Sequence, residues 1–163
     1  MFRKLFIMFL IPLIASCASV PAISPDYNGP IATIQETTER VDSGKAKMFF
    51  LENINGTFMR DSSAWRSKLR SSGQGNSLTI VDSPYSIEAR PQVYTITGQF
   101  IWAMDGRGMI EKSLRVSGDV EFAPKEGVTY LINGSISAEE SIVWIKDLST
   151  DEIIAKFKTI HSN

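Results

Sequence analysis

The chain contains one cysteine, Cys17, and one histidine, His161. A lone thiol excludes an intrachain disulfide framework. A single histidine beside the C-terminus cannot build a zinc set, and a terminus is a poor scaffold for a nucleophilic triad. Charge of one sign is also missing: 17 basic residues face 18 acidic ones, interspersed, for a net charge of -1. That balance argues against an electrostatic nucleic-acid partner. Beyond Leu13 no apolar run approaches the ~20 residues that cross a bilayer as a helix. The glycine-rich stretches, Gly73-Gln74-Gly75 and Asp105-Gly106-Arg107-Gly108, lack the spacing of a phosphate loop.

The first seventeen residues carry the strongest pattern. Met1 to Lys4 is a short basic start, Leu5 to Leu13 is apolar apart from Pro12, and Ile14-Ala15-Ser16 steps down to small residues. This is the layout of a secretory signal peptide. Ile14-Ala15-Ser16-Cys17 resembles the bacterial lipobox. The resemblance implies that the Cys17 thiol receives a diacylglyceryl group and that a peptidase cuts between Ser16 and Cys17. The new amine would then take a third, palmitate-like acyl chain. Ala18 follows where an aspartate tends to retain such proteins in the inner membrane, so the resemblance favours the outer membrane. Two or more acyl chains anchor stably, whereas one holds only marginally.

The expected organisation is therefore a cleaved signal over residues 1–16, a lipidated tether over 17–29 and one domain over 30–163. Removing the signal leaves 147 of the 163 residues, with a net charge of -3 once Arg3 and Lys4 are gone. A domain of that size can fold without disulfides or metal. Residues 18–29 contain Pro21, Pro25, Ser19, Ser24 and Gly29, the composition of an extended spacer.

From Pro30 onward the chain reads as strands. "IATIQET" alternates, and "KAKMFFLENI", "YTITGQFIWAM", "VTYLING", "SIVWIKDL" and "EIIAKFKTI" are rich in β-branched and aromatic residues. Asn55-Gly56, Asp105-Gly106 and Asn133-Gly134 supply hairpin chemistry. Short strands at regular intervals predict an all-β fold, taken as an antiparallel β-sandwich of the Ig-like or transthyretin-like kind with about 7–8 strands. One helical segment is expected near residues 61–70, with Asp61 as N-cap, Gly73 as stop, and Trp65 and Leu69 on one apolar face packed over the sheets.

Few residues suggest chemistry. Trp65, Arg66, Lys68 and Arg70 make a small basic-aromatic cluster, a candidate contact for a glycan or anionic polymer. Glu111, Glu121, Glu139 and Glu140 are the acids available for a carboxylate-based hydrolase, whose two carboxyls must face each other across a cleft. Asp147, Asp151 and Glu152 lack the ligand spacing of a calcium loop and suit a solvated hairpin. No catalytic or metal-binding residue is assigned, and no cofactor is expected beyond the acyl chains on Cys17.

"MFFLENINGT", "SSGQGNSLTI" and "VWIKD" are together similar to stretches of a loose group of small Gram-negative lipoproteins without an assigned activity. The resemblance implies a β-sandwich and a periplasm-facing envelope protein. Lys146 stands where that group commonly has an acid, so no charge-based role carries over there. The expected function is a membrane-anchored, non-enzymatic binding or structural module of the envelope. Its partners would be membrane lipid, through Cys17, and an envelope protein or polymer. A hydrolase acting on cell wall or glycans and a surface-exposed adhesin or antigen are the alternatives.

Overall fold

A computed structural model describes residues 19–103 and 114–161. The expected signal segment, Cys17, Glu111 and the expected Asp105-Gly106 turn lie outside the described residues.

The strands are β1 (Ser19–Val20), β2 (Ile31–Asp42), β3 (Lys45–Ile54), β4 (Thr57–Met59), β5 (Tyr85–Glu88), β6 (Gln92–Trp102), β7 (Arg115–Phe122), β8 (Thr129–Ile136), β9 (Glu140–Asp147) and β10 (Ile153–Ile160). A helix, α1 (Ser63–Ser71), falls between β4 and β5. Asn55 and Gly56, both at positive φ, turn β3 into β4 as the Asn-Gly pair predicts.

Seven strands form a ring in the order β7-β6-β3-β2-β8-β9-β10. Neighbours run antiparallel except β2 and β8, which pair in parallel from Thr33 opposite Thr129 to Glu36 opposite Ile132. An odd number of strands that alternate in direction cannot ring a core without one such pair. The seam lies between β7 and β10, which pack side by side without a ladder among the described residues. Phe157 fills it. Its ring lies so close to Gly118 that a Cβ there would overlap it.

This nearly closed, mixed barrel overturns the expected antiparallel β-sandwich. The reason is β2. Its residues 31–36 pair with β5 and β8, while residues 37–42 pair with β3. One strand thus belongs to both halves and joins them into a single curved sheet. Alternation could not reveal this, because a sandwich and a barrel both bury every second residue.

The interior holds Phe49 and Leu51 from β3, Ile96 from β6, Ile132 from β8, and Val143 and Ile145 from β9, all at most 1 % exposed. Each such side chain contributes roughly 1.5–3 kcal/mol by leaving water. Phe49 lies against Gly98 beside it and Gly134 across the barrel, where a Cβ would collide with the ring. The expected turn at Asn133-Gly134 is therefore wrong: both residues sit within β8, and Gly134 serves close packing. Trp102 is buried, while Trp144 is half-buried beside Lys156 on the outer side of β9.

Strand β3 is covered on its other face too. Ala46, Met48 and Phe50 form a second cluster with Ile101, Ala64 of α1 and Leu78. The barrel has two ends. Strands β2, β6, β8 and β10 start at the lower end and finish at the upper. Residues 21–30, read from composition as spacer, lie against the lower end: Ala22 is buried, its amide donates to Asp61 Oδ2 (3.1 Å), and the Ser24 amide donates to Glu88 Oε1 (2.8 Å).

Candidate functional site

Helix α1 carries the four residues that sequence reasoning singled out, and the structure divides them. The cap is Ser62 rather than Asp61: its hydroxyl accepts from the Trp65 amide at 3.4 Å. The buried face is Ser63, Ala64, Ser67 and Ser71, not the expected Trp65–Leu69 stripe. Serine spaced at i, i+4 and i+8 makes one narrow face on a helix. Two of these hydroxyls serve the extended segment after the helix. Ser67 Oγ accepts from the Val81 amide (2.9 Å), and Ser71 Oγ accepts from the Thr79 amide (2.9 Å) while donating to the Ser67 carbonyl (2.7 Å). Small polar side chains let that segment approach and satisfy backbone groups that would otherwise be stranded.

Trp65 and Leu69 are consequently left outside, 40 % and 65 % exposed. Trp65 meets the edge of Phe58 at 5.4 Å. With Lys68, Ser72, Gly73 and Ala103 they line an open hollow of about 340 Å³. Arg66 points elsewhere, donating to the Ser83 carbonyl at 2.8 Å and lying 5.9 Å from the Tyr85 ring. Arg70, four residues on from Arg66, is exposed and on that same side of the helix. The expected basic-aromatic cluster is therefore two separate faces. Cys17 and the residues of the expected lipobox, Ile14, Ala15 and Ser16, lie outside the described residues.

The most concentrated polar chemistry is one that sequence reasoning missed. Glu36 is only 7 % exposed, where β2 parts from β3. Its Oε1 accepts from the Leu51 amide (2.8 Å) and the Tyr85 hydroxyl (2.5 Å), and its Oε2 accepts from the Ser63 amide (2.5 Å). The carboxylate replaces the missing strand partner and binds the first residue of α1. Burial pushes its carboxyl above the usual range, against the pull of the Ser63, Tyr85 and Leu51 hydrogen bonds. The same surroundings push the Tyr85 hydroxyl well up, through burial first and the Glu36 charge second. The signal was present in "IATIQET": Glu36 continues the buried series Ala32, Ile34.

A second carboxylate, Glu52, sits at a bulge in β3 and pairs with Arg115 at 2.5 Å while accepting from Thr97 Oγ1 at 2.6 Å. Burial alone would raise its pKa, but Arg115, Thr97 and Ser117 together lower it. Glu121 lies on β7 near the lower end, whereas Glu139 and Glu140 lie at the upper end, where Glu140 pairs with Lys158 at 2.6 Å. Ser141 Oγ stands 2.9 Å from His161 Nε2, yet Ser141 is fully buried, so the pair pins the end of β10 to β9. Asp147 accepts from the Ser149 amide and hydroxyl (2.8 and 2.6 Å), and the Ser149 hydroxyl is the main force holding its carboxyl below the usual range. Asp151 pairs with Lys146. Among the described residues no group of three or more metal-ligating side chains converges.

At the lower end Asn55, Gln92, Val93, Glu121 and Phe122 line an open cleft of about 470 Å³. Asn55 organises its floor, donating to Gln92 Oε1 (3.0 Å) and accepting from the Val93 amide (3.0 Å). Comparison with family models, with curated proteins and with solved structures finds no match to the chain.

Proposed function

We propose that the chain is a lipid-anchored protein of the bacterial envelope, held on the periplasmic side of the outer membrane by acyl chains on Cys17, with the barrel as a non-catalytic binding or structural module. One observation carries the reading: Ile14-Ala15-Ser16-Cys17 stands directly behind a basic start and a short apolar run. The chemistry is specific, since a thiolate is the side-chain nucleophile best suited to take a diacylglyceryl group near neutral pH. Three acyl chains at ~0.8 kcal/mol per buried methylene would make release from the membrane negligible.

The module reading draws on the barrel itself. Among the described residues Glu36 and Glu52 serve as structural acceptors, and Glu121 and Glu140 lie at opposite ends of the barrel. The test is metabolic labelling with a palmitate analogue. Wild type should incorporate the label and Cys17→Ser should not; equal incorporation by both would overturn the assignment. Protease treatment of intact cells separates a periplasmic barrel, which is protected, from a surface-exposed one, which is digested.

A further inference from the structure

Nine large apolar side chains are exposed among the described residues, and five of them, Ile31, Val93, Leu148, Ile153 and Ile154, belong to the lower end. They start β2, β6 and β10 or lie in the hairpin after β9. Scattered exposed apolar residues need no explanation, but a concentration at one end of a barrel does. Of the other four, Val41 and Ile160 stand at the upper end, and Trp65 and Leu69 share the exposed face of α1.

The path of the chain says what covers that end. Strand β1 runs parallel to β4, Ser19 opposite Phe58 and Val20 opposite Met59. Strand β4 rises from the Asn55-Gly56 turn at the lower end, so the chain enters β1 from below. Cys17 is two residues before Ser19, and two trans peptide units span at most about 7.6 Å. The headgroup layer of one leaflet is roughly 5–8 Å thick. A body whose acyl anchor is held within that reach of Ser19, beside the short strand that follows the lower turn, cannot keep its lower end clear of the headgroups.

We infer that the lower end of the barrel, through Ile31, Val93, Leu148, Ile153 and Ile154, rests on the phospholipid surface that holds the acyl chains of Cys17. This inference rests on the lipid-anchor reading and adds an orientation to it. The β2–β3 and β8–β9 hairpins of the upper end then point away from the membrane. The contact is apolar in character: Glu121, Glu126, Asp151 and Glu152 outnumber Arg90, Lys125 and Lys146 at this end, which gives no attraction for anionic headgroups. The appropriate surface is zwitterionic.

The test uses the full-length lipidated protein in vesicles of phosphatidylcholine and phosphatidylethanolamine. An environment-sensitive fluorophore is attached through Val93→Cys, Leu148→Cys or Ile154→Cys at the lower end, or through Ser43→Cys or Ala138→Cys at the upper end; all five positions are exposed. The lower labels should show a several-fold loss of quenching by aqueous iodide and a gain of quenching by a nitroxide lipid, relative to the upper labels. Equal iodide quenching at both ends, in protein whose intact mass shows an acylated Cys17, would overturn the orientation and leave the anchor standing. A bare polypeptide mass at Cys17 would overturn the anchor, and the orientation with it, independently of the fluorescence.

Discussion

Replacing Glu36 with glutamine keeps the length and shape of the side chain and turns one oxygen into an NH₂ group with no acceptor capacity. Three donors point at this carboxylate: the Leu51 amide, the Ser63 amide and the Tyr85 hydroxyl. A glutamine that keeps its oxygen at the Leu51 side faces the Ser63 amide with a donor, and one that flips strands the Leu51 amide instead. Either way one buried backbone N–H loses its acceptor, a cost of about 1–3 kcal/mol. A protonated glutamic acid does better than glutamine, because its hydroxyl oxygen can still accept.

The pH dependence follows with a definite sign. The folded-state pKa of Glu36 lies above the ordinary glutamate value of 4.5, with burial the largest cause. The folded chain therefore binds its proton before the unfolded chain does, and the group adds stability as pH falls through the folded pKa until 4.5 is passed. Glutamine does not titrate there. The stability gap between wild type and Glu36→Gln should be smaller at the higher pH, on the side of the folded pKa where the wild type carries the cost of a buried charge. It should widen on acidification and reach about 1–3 kcal/mol near pH 4.5. Glu52, Glu88 and Asp147, whose pKa values are lowered, and Asp82, whose pKa is raised, are common to both variants and cancel in the gap. Urea denaturation at both pH values gives the gap from the shift in midpoint at constant m. A gap that narrows on acidification would refute the dominance of burial over the hydrogen bonds in setting this pKa, and no gap at either pH would refute the assignment of Glu36 as the acceptor joining β2, β3 and α1.

Gly118→Ala places a methyl group inside the Phe157 ring position and should cost about 1–3 kcal/mol by overpacking. Amide exchange should then quicken across β10 before it does in β3; uniform quickening would mean that the seam is not a separable element. Ser67→Ala and Ser71→Ala each strand one backbone amide, of Val81 and Thr79 respectively, for about 1–3 kcal/mol apiece by denaturation. The two losses should fall short of additive if the freed segment relaxes as a unit, which the double variant measures.

The sequence made some of this legible and hid the rest for physical reasons. Strand positions came through because alternation and β-branched residues report a surface that is half buried, whatever closes around it. Barrel closure stayed hidden because it depends on which strands meet, and β2 carries no mark showing where it changes partners except the acid at Glu36. Helix α1 was found, but with the wrong face inward: apolar periodicity pointed to Trp65 and Leu69, whereas burial followed the serines. Asn133-Gly134 shows the same confusion in a turn motif. Glycine serves positive φ at Gly56 and close approach at Gly134, and the dipeptide alone does not say which.

The serine face and Glu36 belong to one physical solution. Strand β3 is buried on both sides, so the sheet needs a cover over Ala46, Met48 and Phe50. An amphipathic helix could provide it, but a bulky apolar face would hold the segment carrying Leu78 too far out to complete the cluster. Serines instead let that segment lie close, and their hydroxyls satisfy its amides. The cost is a helix with little apolar grip on the barrel, since Ala64 is its only apolar residue buried there. Hydrogen bonds from the Ser63 amide and the Tyr85 hydroxyl to one buried carboxylate supply the missing attachment. Burying Glu36 carries an energetic penalty, yet it joins the one point where β2 leaves β3 to the one helix that covers them. On this account the exposed Trp65–Leu69 face is not needed to seat the helix beyond the edge contact of Trp65 with Phe58, because the opposite face and its polar tie already hold the helix in place.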